Sequence, residues 1–267
     1  MYKDKIVGNR IDNKLASLKA DSSIALVPYL TVGYPDVSSF YEIANSVLGS
    51  GADMLELGIP FSDPLADGPT IQMTSFKALE NGVNMNTAFD IAQKIRTENP
   101  ETPLIFMGYF NPFLTYGISE FMDKADSVGI DGIIIPDLPS EEAEDIARLC
   151  KGKGIHLIPL LAPTSTEERI EAACSIAGGF IYCVSLTGVT GANSRMSQNI
   201  EGLINNIRKQ TNLPILVGFG ISSKKDIEQI AGFADGAIVG SALLDVISKA
   251  NKGREIAEAI KFIEELK

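Results

Sequence analysis

Short runs of β-branched and other apolar residues recur along the chain, each followed by a polar stretch with helical spacing. The runs at 24–30 (IALVPYL), 53–57 (DMLEL), 104–108 (LIFMG), 132–135 (GIII), 155–160 (IHLIPL), 180–185 (FIYCVS), 214–218 (PILVG) and 235–239 (DGAIV) predict eight strands. They are apolar without alternation, the pattern of strands buried on both faces in a parallel sheet. The helices between them carry start and stop signals. Asp36 precedes VSSFYEIANSVLGSG, which Gly49 and Gly51 end. Ser140 opens SEEAEDIARLCKGKG in a capping-box arrangement, Thr166 opens TEERIEAACSIAGG, and Ser222 begins SSKKDIEQIAGF. A short helix near 5–19 precedes the first strand, and REIAEAIKFIEELK closes the chain.

Eight strand–helix units after an extra N-terminal helix predict a single-domain α/β protein, a (β/α)₈ barrel spanning residues 1–267. The competing open, doubly wound sheet usually stops near six strands and carries a G-x-G-x-x-G turn after the first. Here the first strand runs into TVGYPD.

Composition removes several function classes. A net charge of −11 argues against nucleic acid and anionic membranes, and means that a phosphate ligand must be held by local groups. No apolar run approaches the ~20 residues of a membrane span, and the opening MYKDKIVGNR lacks the apolar core of a secretory signal. Cys150, Cys174 and Cys183 read as reduced thiols of a cytoplasmic protein. The single histidine, His156, has no nucleophilic serine or second metal ligand at a useful spacing, so a structural or surface role is expected.

In a barrel, function belongs to the loops at the C-terminal ends of the strands. Three regions there stand out. Glu56 interrupts an apolar strand between Leu55 and Leu57, where it is either paired with a cation or desolvated with a raised pKa. The loop after it is stiffened by Pro60, Pro64 and Pro69 and carries Asp63 and Asp67; Asp67 is equally suited to anchor a ligand or to cap the helix at Pro69. Next, SLTGVTGANSRMSQ, with Gly188 and Gly191, has the composition of a lid or an ordinary flexible loop. Last, LVGFGISS and IVGSALL place Gly218, Gly220 and Gly240 before helices, where exposed backbone N–H groups favour an anion. With no lysine or arginine in either motif, backbone donors and Ser241 would hold a phosphate.

The blocks LELGIPFSDPLADGPTIQ, MGYFNPFLTYG, SLTGVTGA, GFGIS and VGSAL resemble, in order, those of the tryptophan synthase α-subunit family, from about Leu26 to the C-terminal helix. The resemblance implies cleavage of indole-3-glycerol phosphate to indole and glyceraldehyde 3-phosphate. It implies that Glu56 and Asp67 are catalytic and that Tyr29, Tyr109 and Tyr182 line the site. Thr190 would be the lid threonine that closes toward the aspartate. Gly191, Gly220, Gly240 and Ser241 would form the phosphate cradle, and Phe219 would be a further substrate contact. It also implies a pyridoxal-phosphate β subunit as partner in an α₂β₂ heterotetramer, met by Pro60, Asp63, Asn111 and Pro112, with no cofactor or metal in this chain. Leu186 departs from the family pattern, since some relatives carry a charged lid residue there.

Two other readings compete. One is a metal-assisted phosphate-sugar lyase, with Asp63 and Asp67 holding Mg²⁺ near Asp53. The other is a barrel retained without catalysis as a partner subunit; loss of Glu56 or Asp67 would have been its sign, and both are present.

Overall fold

The computed structural model describes residues 8–184, 193–218 and 220–267, with only the backbone at 193–199. In chain order, α1 (Arg10–Ala20) leads to β1 (Ala25–Thr31) and α2 (Val37–Gly49). β2 (Leu55–Gly58) is followed by α3 (Pro69–Glu80) and α4 (Met85–Glu98). β3 (Leu104–Met107) is followed by α5 (Phe110–Tyr116) and α6 (Ile118–Val128). β4 (Gly132–Ile134) precedes a 3₁₀ turn (Ser140–Glu142) and α7 (Glu144–Gly152). Then come β5 (His156–Leu157), β6 (Leu160–Leu161), α8 (Glu167–Ile176), β7 (Ile181–Val184) and α9 (Asn193–Ile207). The chain ends with β8 (Ile215–Gly218), α10 (Lys224–Ile230), β9 (Gly236–Val239), α11 (Ser241–Lys249) and α12 (Glu255–Leu266).

All strand pairs are parallel, in the order β5-β4-β3-β2-β1-β9-β8-β7-β6. The expected fifth strand is two pieces, and Pro159 explains the break. Proline has no N–H to give a ladder. The Ile158 N–H donates to the Ile133 carbonyl on one side (2.9 Å), while the Pro159 carbonyl accepts the Tyr182 N–H on the other (3.1 Å). The run 156–161 thus passes from one neighbour to the next and closes a barrel of eight strand positions.

Closure creates two cores. Inward-facing Ala25, Val27, Met54, Ile105, Phe180 and Leu216 fill the barrel, and Ile11 and Leu15 of α1 cover its N-terminal end. Outward-facing strand residues pack under the helices. In α2, Phe40, Ile43, Ala44, Val47 and Leu48 form the buried stripe, spaced by three and four as an amphipathic helix requires. Asp36 and Thr166 cap their helices as expected. Three helix expectations shift. Ser140 begins a 3₁₀ turn and α7 starts four residues later without a side-chain cap, so the capping box does not form. The cap of α10 is Ser223, paired reciprocally with Asp226. The helix expected near 5–19 is described from Arg10 to Ala20.

His156 is structural, its Nε2 2.8 Å from Asp12 Oδ2 of α1. It belongs to a set of ties at the N-terminal end of the barrel. There Asp53, Asp131 and Asp235 each precede a strand and make a two-way link with one residue of the neighbouring strand. Their backbone N–H groups donate to the carbonyls of Leu26, Leu104 and Ile215. Their carboxylates accept the N–H of the same three residues at 2.9, 2.9 and 2.8 Å. Each carboxylate also meets a cation: Lys267 on Asp53, Arg96 and Arg10 on Asp131, and Arg208 on Asp235. Asp53 therefore sits at the opposite end of β2 from the loop carrying Asp63 and Asp67, and cannot join a metal site with them.

These three ties differ in burial, which ranks their worth. Arg96 and Asp131 are both nearly inaccessible, with side chains 9% and 2% exposed, whereas Arg208 is 42% exposed. Removing one partner of a buried pair costs about 3–5 kcal/mol, while a hydrogen bond to a charged group nearer solvent is worth about 1.5–3 kcal/mol. Asp131→Ala is expected to lower the urea unfolding midpoint more than Asp235→Ala, and denaturation curves of the two variants check the order.

Candidate active site

Side chains alternate along a strand, so Glu56 and Gly58 of β2 share the inward face. Glu56 pairs in register with Tyr29 of β1. Its side chain is fully buried, and neither carboxylate oxygen has a hydrogen-bond partner among the described residues. Burial, and then the nearby Asp67, push its pKa up to about 8. Of the two readings left open for a carboxylate in an apolar strand, the structure shows the desolvated one. The site holds a neutral carboxylic acid at pH 7.

Asp67 lies on the loop after β2. It does not cap α3: the N-cap is Gly68, with Pro69 in the first turn. Its Oδ2 instead accepts the hydroxyl of Tyr109, at the end of β3 (3.0 Å). Burial pushes its pKa up to about 6, and the Tyr109 hydrogen bond acts in the opposite direction. At neutral pH the pair is one protonated and one ionised carboxyl, the division that acid/base chemistry exploits.

Tyr29 and Tyr182 complete the wall. Both are buried, and their hydroxyls are held well above the ordinary tyrosine range, by burial first and then by the carboxylates. Two glycines make room for these rings. A Cβ at Gly58 would lie 2.1 Å from the Tyr29 hydroxyl oxygen, and one at Gly218 would lie 2.4 Å from that of Tyr182. Gly218, read from the sequence as a point of close backbone approach, gives clearance to Tyr182. Gly58 was missed, although its place two residues after Glu56 puts it on the same face. Phe61 was missed as well; its ring lies 5.3 Å from that of Tyr109.

The candidate anion-binding elements share this mouth. Gly240 is the N-cap of α11 with no side-chain cap, and Ser241 opens the helix exposed to solvent. The first N–H groups of a helix have no intrahelical acceptor and favour an anion. A Cβ at Gly240 would meet Tyr29 at 3.5 Å, so this helix start stands against the same tyrosine that lies beside Glu56. Gly220 has φ +47 with open space around it. The expectations for Thr190, Gly191, Phe219, Gly188 and Leu186 lie outside the described residues.

The four residues expected to face a partner are not alike. Asp63 and Asn111 are exposed, Pro112 is half-buried, and Pro60 is buried rather than exposed. Pro60, Phe61, Asn111 and Pro112 line one groove of about 390 Å³ beside the mouth. The described residues hold no cluster of three or more metal-ligating side chains, and no helix among them is long and apolar enough to cross a membrane.

Comparisons with known proteins converge. The family model for the tryptophan synthase alpha chain matches residues 15–267. Proteins so named from Roseiflexus sp. (strain RS-1) and Chloroflexus aurantiacus are 44% and 46% identical over 259 and 258 residues. Each alignment covers 97% of this chain, and 99% and 97% of the relatives. The crystal structure of tryptophan synthase subunit alpha from Legionella pneumophila str. Paris matches with a TM-score of 0.89 at 36% identity, covering 97% of both chains. A structure of Mycobacterium tuberculosis tryptophan synthase matches with a TM-score of 0.89 at 34% identity, again over 97% of both. A closed barrel with two unlike carboxyls in its mouth, matched over nearly its whole length, places this chain in the tryptophan synthase alpha chain family, lyases that act on indole-3-glycerol phosphate.

Proposed function

We propose that the chain, as one barrel domain over residues 1–267, cleaves indole-3-glycerol phosphate by a retro-aldol reaction in which Glu56 moves the protons and Asp67 stabilises the charged ring. The observation that carries this reading is the buried carboxyl of Glu56, without a hydrogen-bond partner among the described residues, beside a second, ionisable carboxyl. Indole is a poor carbanion leaving group, so its C3 must gain a proton before the side chain departs. Glu56 in its neutral form delivers that proton. The ring becomes a cationic indolenine, whose N–H donates to the Asp67 carboxylate. The Glu56 carboxylate then takes the proton of the hydroxyl on the carbon bonded to C3. As that C–C bond breaks, its electron pair returns to the ring, releasing neutral indole and leaving the aldehyde of glyceraldehyde 3-phosphate. Glu56 ends protonated, ready for another turnover.

Tyr29, Tyr109, Tyr182 and Phe219 would pack against the indole, and Gly220, Gly240, Ser241 and Gly191 would hold the phosphate. Backbone donors suit a chain whose net charge of −11 repels the ligand at long range. Phosphate binding remote from the reacting carbons orients the substrate, and Thr190 closes the site. The reaction calls on no metal or organic cofactor in this chain. Its unpaired thiols fit a reducing cytoplasm, with Cys150 and Cys183 buried and pushed up to about 12 by that burial.

The partner in this reading is a pyridoxal-phosphate β subunit in an α₂β₂ assembly, met through Asp63, Asn111, Pro112 and the groove wall at Pro60. No observation favours the Mg²⁺ alternative, since Asp53 is tied to Leu26 and Lys267 at the other end of the barrel.

Indole release from indole-3-glycerol phosphate by the purified chain, measured without a β subunit, tests the reading. Glu56→Gln keeps the shape and removes the proton relay, so the rate is expected to fall by about 10²–10⁴. A variant as active as the parent would overturn the mechanism.

The pH dependence has a definite sign. Asp67 must be ionised, so activity is lost as pH falls through about 6; Glu56 must be protonated, so activity is lost as pH rises through about 8. A bell-shaped profile of kcat/KM is expected, and a flat profile across neutrality would contradict the assignment.

A further inference from the structure

The loop that carries Asp67 is tied down unevenly. Its start is fixed where Phe61 exchanges two hydrogen bonds with Ser75 of α3: the Phe61 N–H donates to the Ser75 hydroxyl (2.8 Å), which donates to the Phe61 carbonyl (2.9 Å). Beyond that point the loop is open to solvent, with Leu65 91% exposed. Internal hydrogen bonds from Leu65 to Asp63 and from Asp67 to Pro64 give it local turns, and Gln72 Nε2 of α3 donates to the Asp67 carbonyl (2.9 Å), which holds the backbone at the loop's end and leaves the Asp67 carboxylate untouched. Among the described residues, 62–68 make only two hydrogen bonds to residues distant in sequence, and both go to one atom. The Tyr109 hydroxyl accepts the Ala66 N–H (2.9 Å) and donates to Asp67 Oδ2 (3.0 Å). Tyr109 itself is well held: it is 5% exposed, it stacks near Phe61, and the next residue's N–H donates to Asp137 after β4 (2.9 Å).

We propose that Tyr109 is the positioning residue for Asp67: its hydroxyl clamps the backbone and one carboxylate oxygen of consecutive loop residues, and leaves Oδ1 to receive the substrate's ring N–H. This rests on the role given to Asp67 above and adds to it. A hydroxyl has one proton to donate, and the Ala66 N–H occupies an acceptor position. The proton is therefore directed to Asp67, fixing which oxygen is engaged. Oδ1 takes no hydrogen bond among the described residues, so it is the oxygen left for a ligand.

The clamp also favours the ionised form of Asp67, because a hydrogen bond donated to a carboxylate stabilises its charge. The other titratable groups around Asp67 and Tyr109 work against ionisation or are neutral: Glu56 from β2, Tyr29 from β1, Tyr182 from β7, and Asp137 beside Tyr109. Tyr109 thus works against the burial that raises the Asp67 pKa and adds to the difference between the two carboxyls.

Tyr109→Phe removes the hydroxyl and keeps the ring, so a purely packing role would leave the kinetics untouched. Indole release by the full chain, followed from about pH 5 to about pH 9, is measured for this variant, Asp67→Asn and Phe61→Leu. For Tyr109→Phe, kcat is expected to fall about tenfold or more, the worth of a hydrogen bond to a charged group, with KM little changed. The acid limb of its profile is expected to move to higher pH while the basic limb stays. Phe61→Leu disturbs the stack and keeps the clamp, so its acid limb is expected to stay with the parent's. If Asp67→Asn abolishes release and the Tyr109→Phe profile superimposes on the parent's, the clamp is refuted and the role of Asp67 stands. Full release by Asp67→Asn would overturn both.

Discussion

A carboxyl group with no hydrogen-bond partner among the described residues is held inside a closed barrel, and the chemistry of the site depends on that one desolvated group. Burying a polar group without compensation costs about 1–3 kcal/mol, and burying its charge costs far more. Glu56 responds as physics requires, by keeping its proton to about pH 8. Asp67, only partly buried and hydrogen-bonded by Tyr109, gives up its proton at about pH 6. Two residues of the same chemical kind are driven to opposite states by the difference between a barrel interior and a loop at its mouth. The arrangement of glycines follows from the same crowding. Tyr29 and Tyr182 shield Glu56 from water only because Gly58 and Gly218 leave space for their hydroxyls.

The fold was legible because most strands are buried on both faces, which writes an unbroken apolar run into the sequence. The same property made Glu56 legible, as the acid that interrupts such a run. What stayed hidden depends on contacts between distant segments. Nothing local distinguishes Gly58 from a glycine at a strand end, and its purpose appears only when Tyr29 is seen across the register. The division of the fifth strand followed from Pro159, which was visible, but which carbonyl each side used was not. Ser140 looked like a helix cap, yet Ala143 supplies no side chain for a reciprocal bond and a 3₁₀ turn forms instead. Asp53 was grouped with Asp63 and Asp67 by proximity in sequence, whereas β2 separates them along its axis. The roles of the glycine turns and of the lid rest on the family resemblance more than on physics, since loop composition alone does not fix a shape.

Stability and function are placed at opposite ends of the barrel, as is general for this architecture. At the N-terminal end, Asp53, Asp131 and Asp235 repeat one device. Each exchanges two hydrogen bonds with a single residue of the adjacent strand and neutralises a cation from outside the sheet. Each aspartate has its charge compensated and its lone pairs in use. At the C-terminal end Glu56 has neither among the described residues. A protein can tolerate such an uncompensated group because net stability is a small difference between large terms and local losses are offset elsewhere.

This separation also explains why Tyr109 matters more than its two hydrogen bonds suggest. The strands deliver Glu56 with the precision of a packed core, but Asp67 sits on a segment that the core does not reach. Catalytic geometry must be held to a fraction of an ångström, and loops provide that less well than strands. A buried tyrosine standing at the end of β3 extends the rigidity of the barrel into the loop. It transfers order from the part of the molecule that has it to the one charged group that needs it, without burying that group so deeply that its charge would be lost.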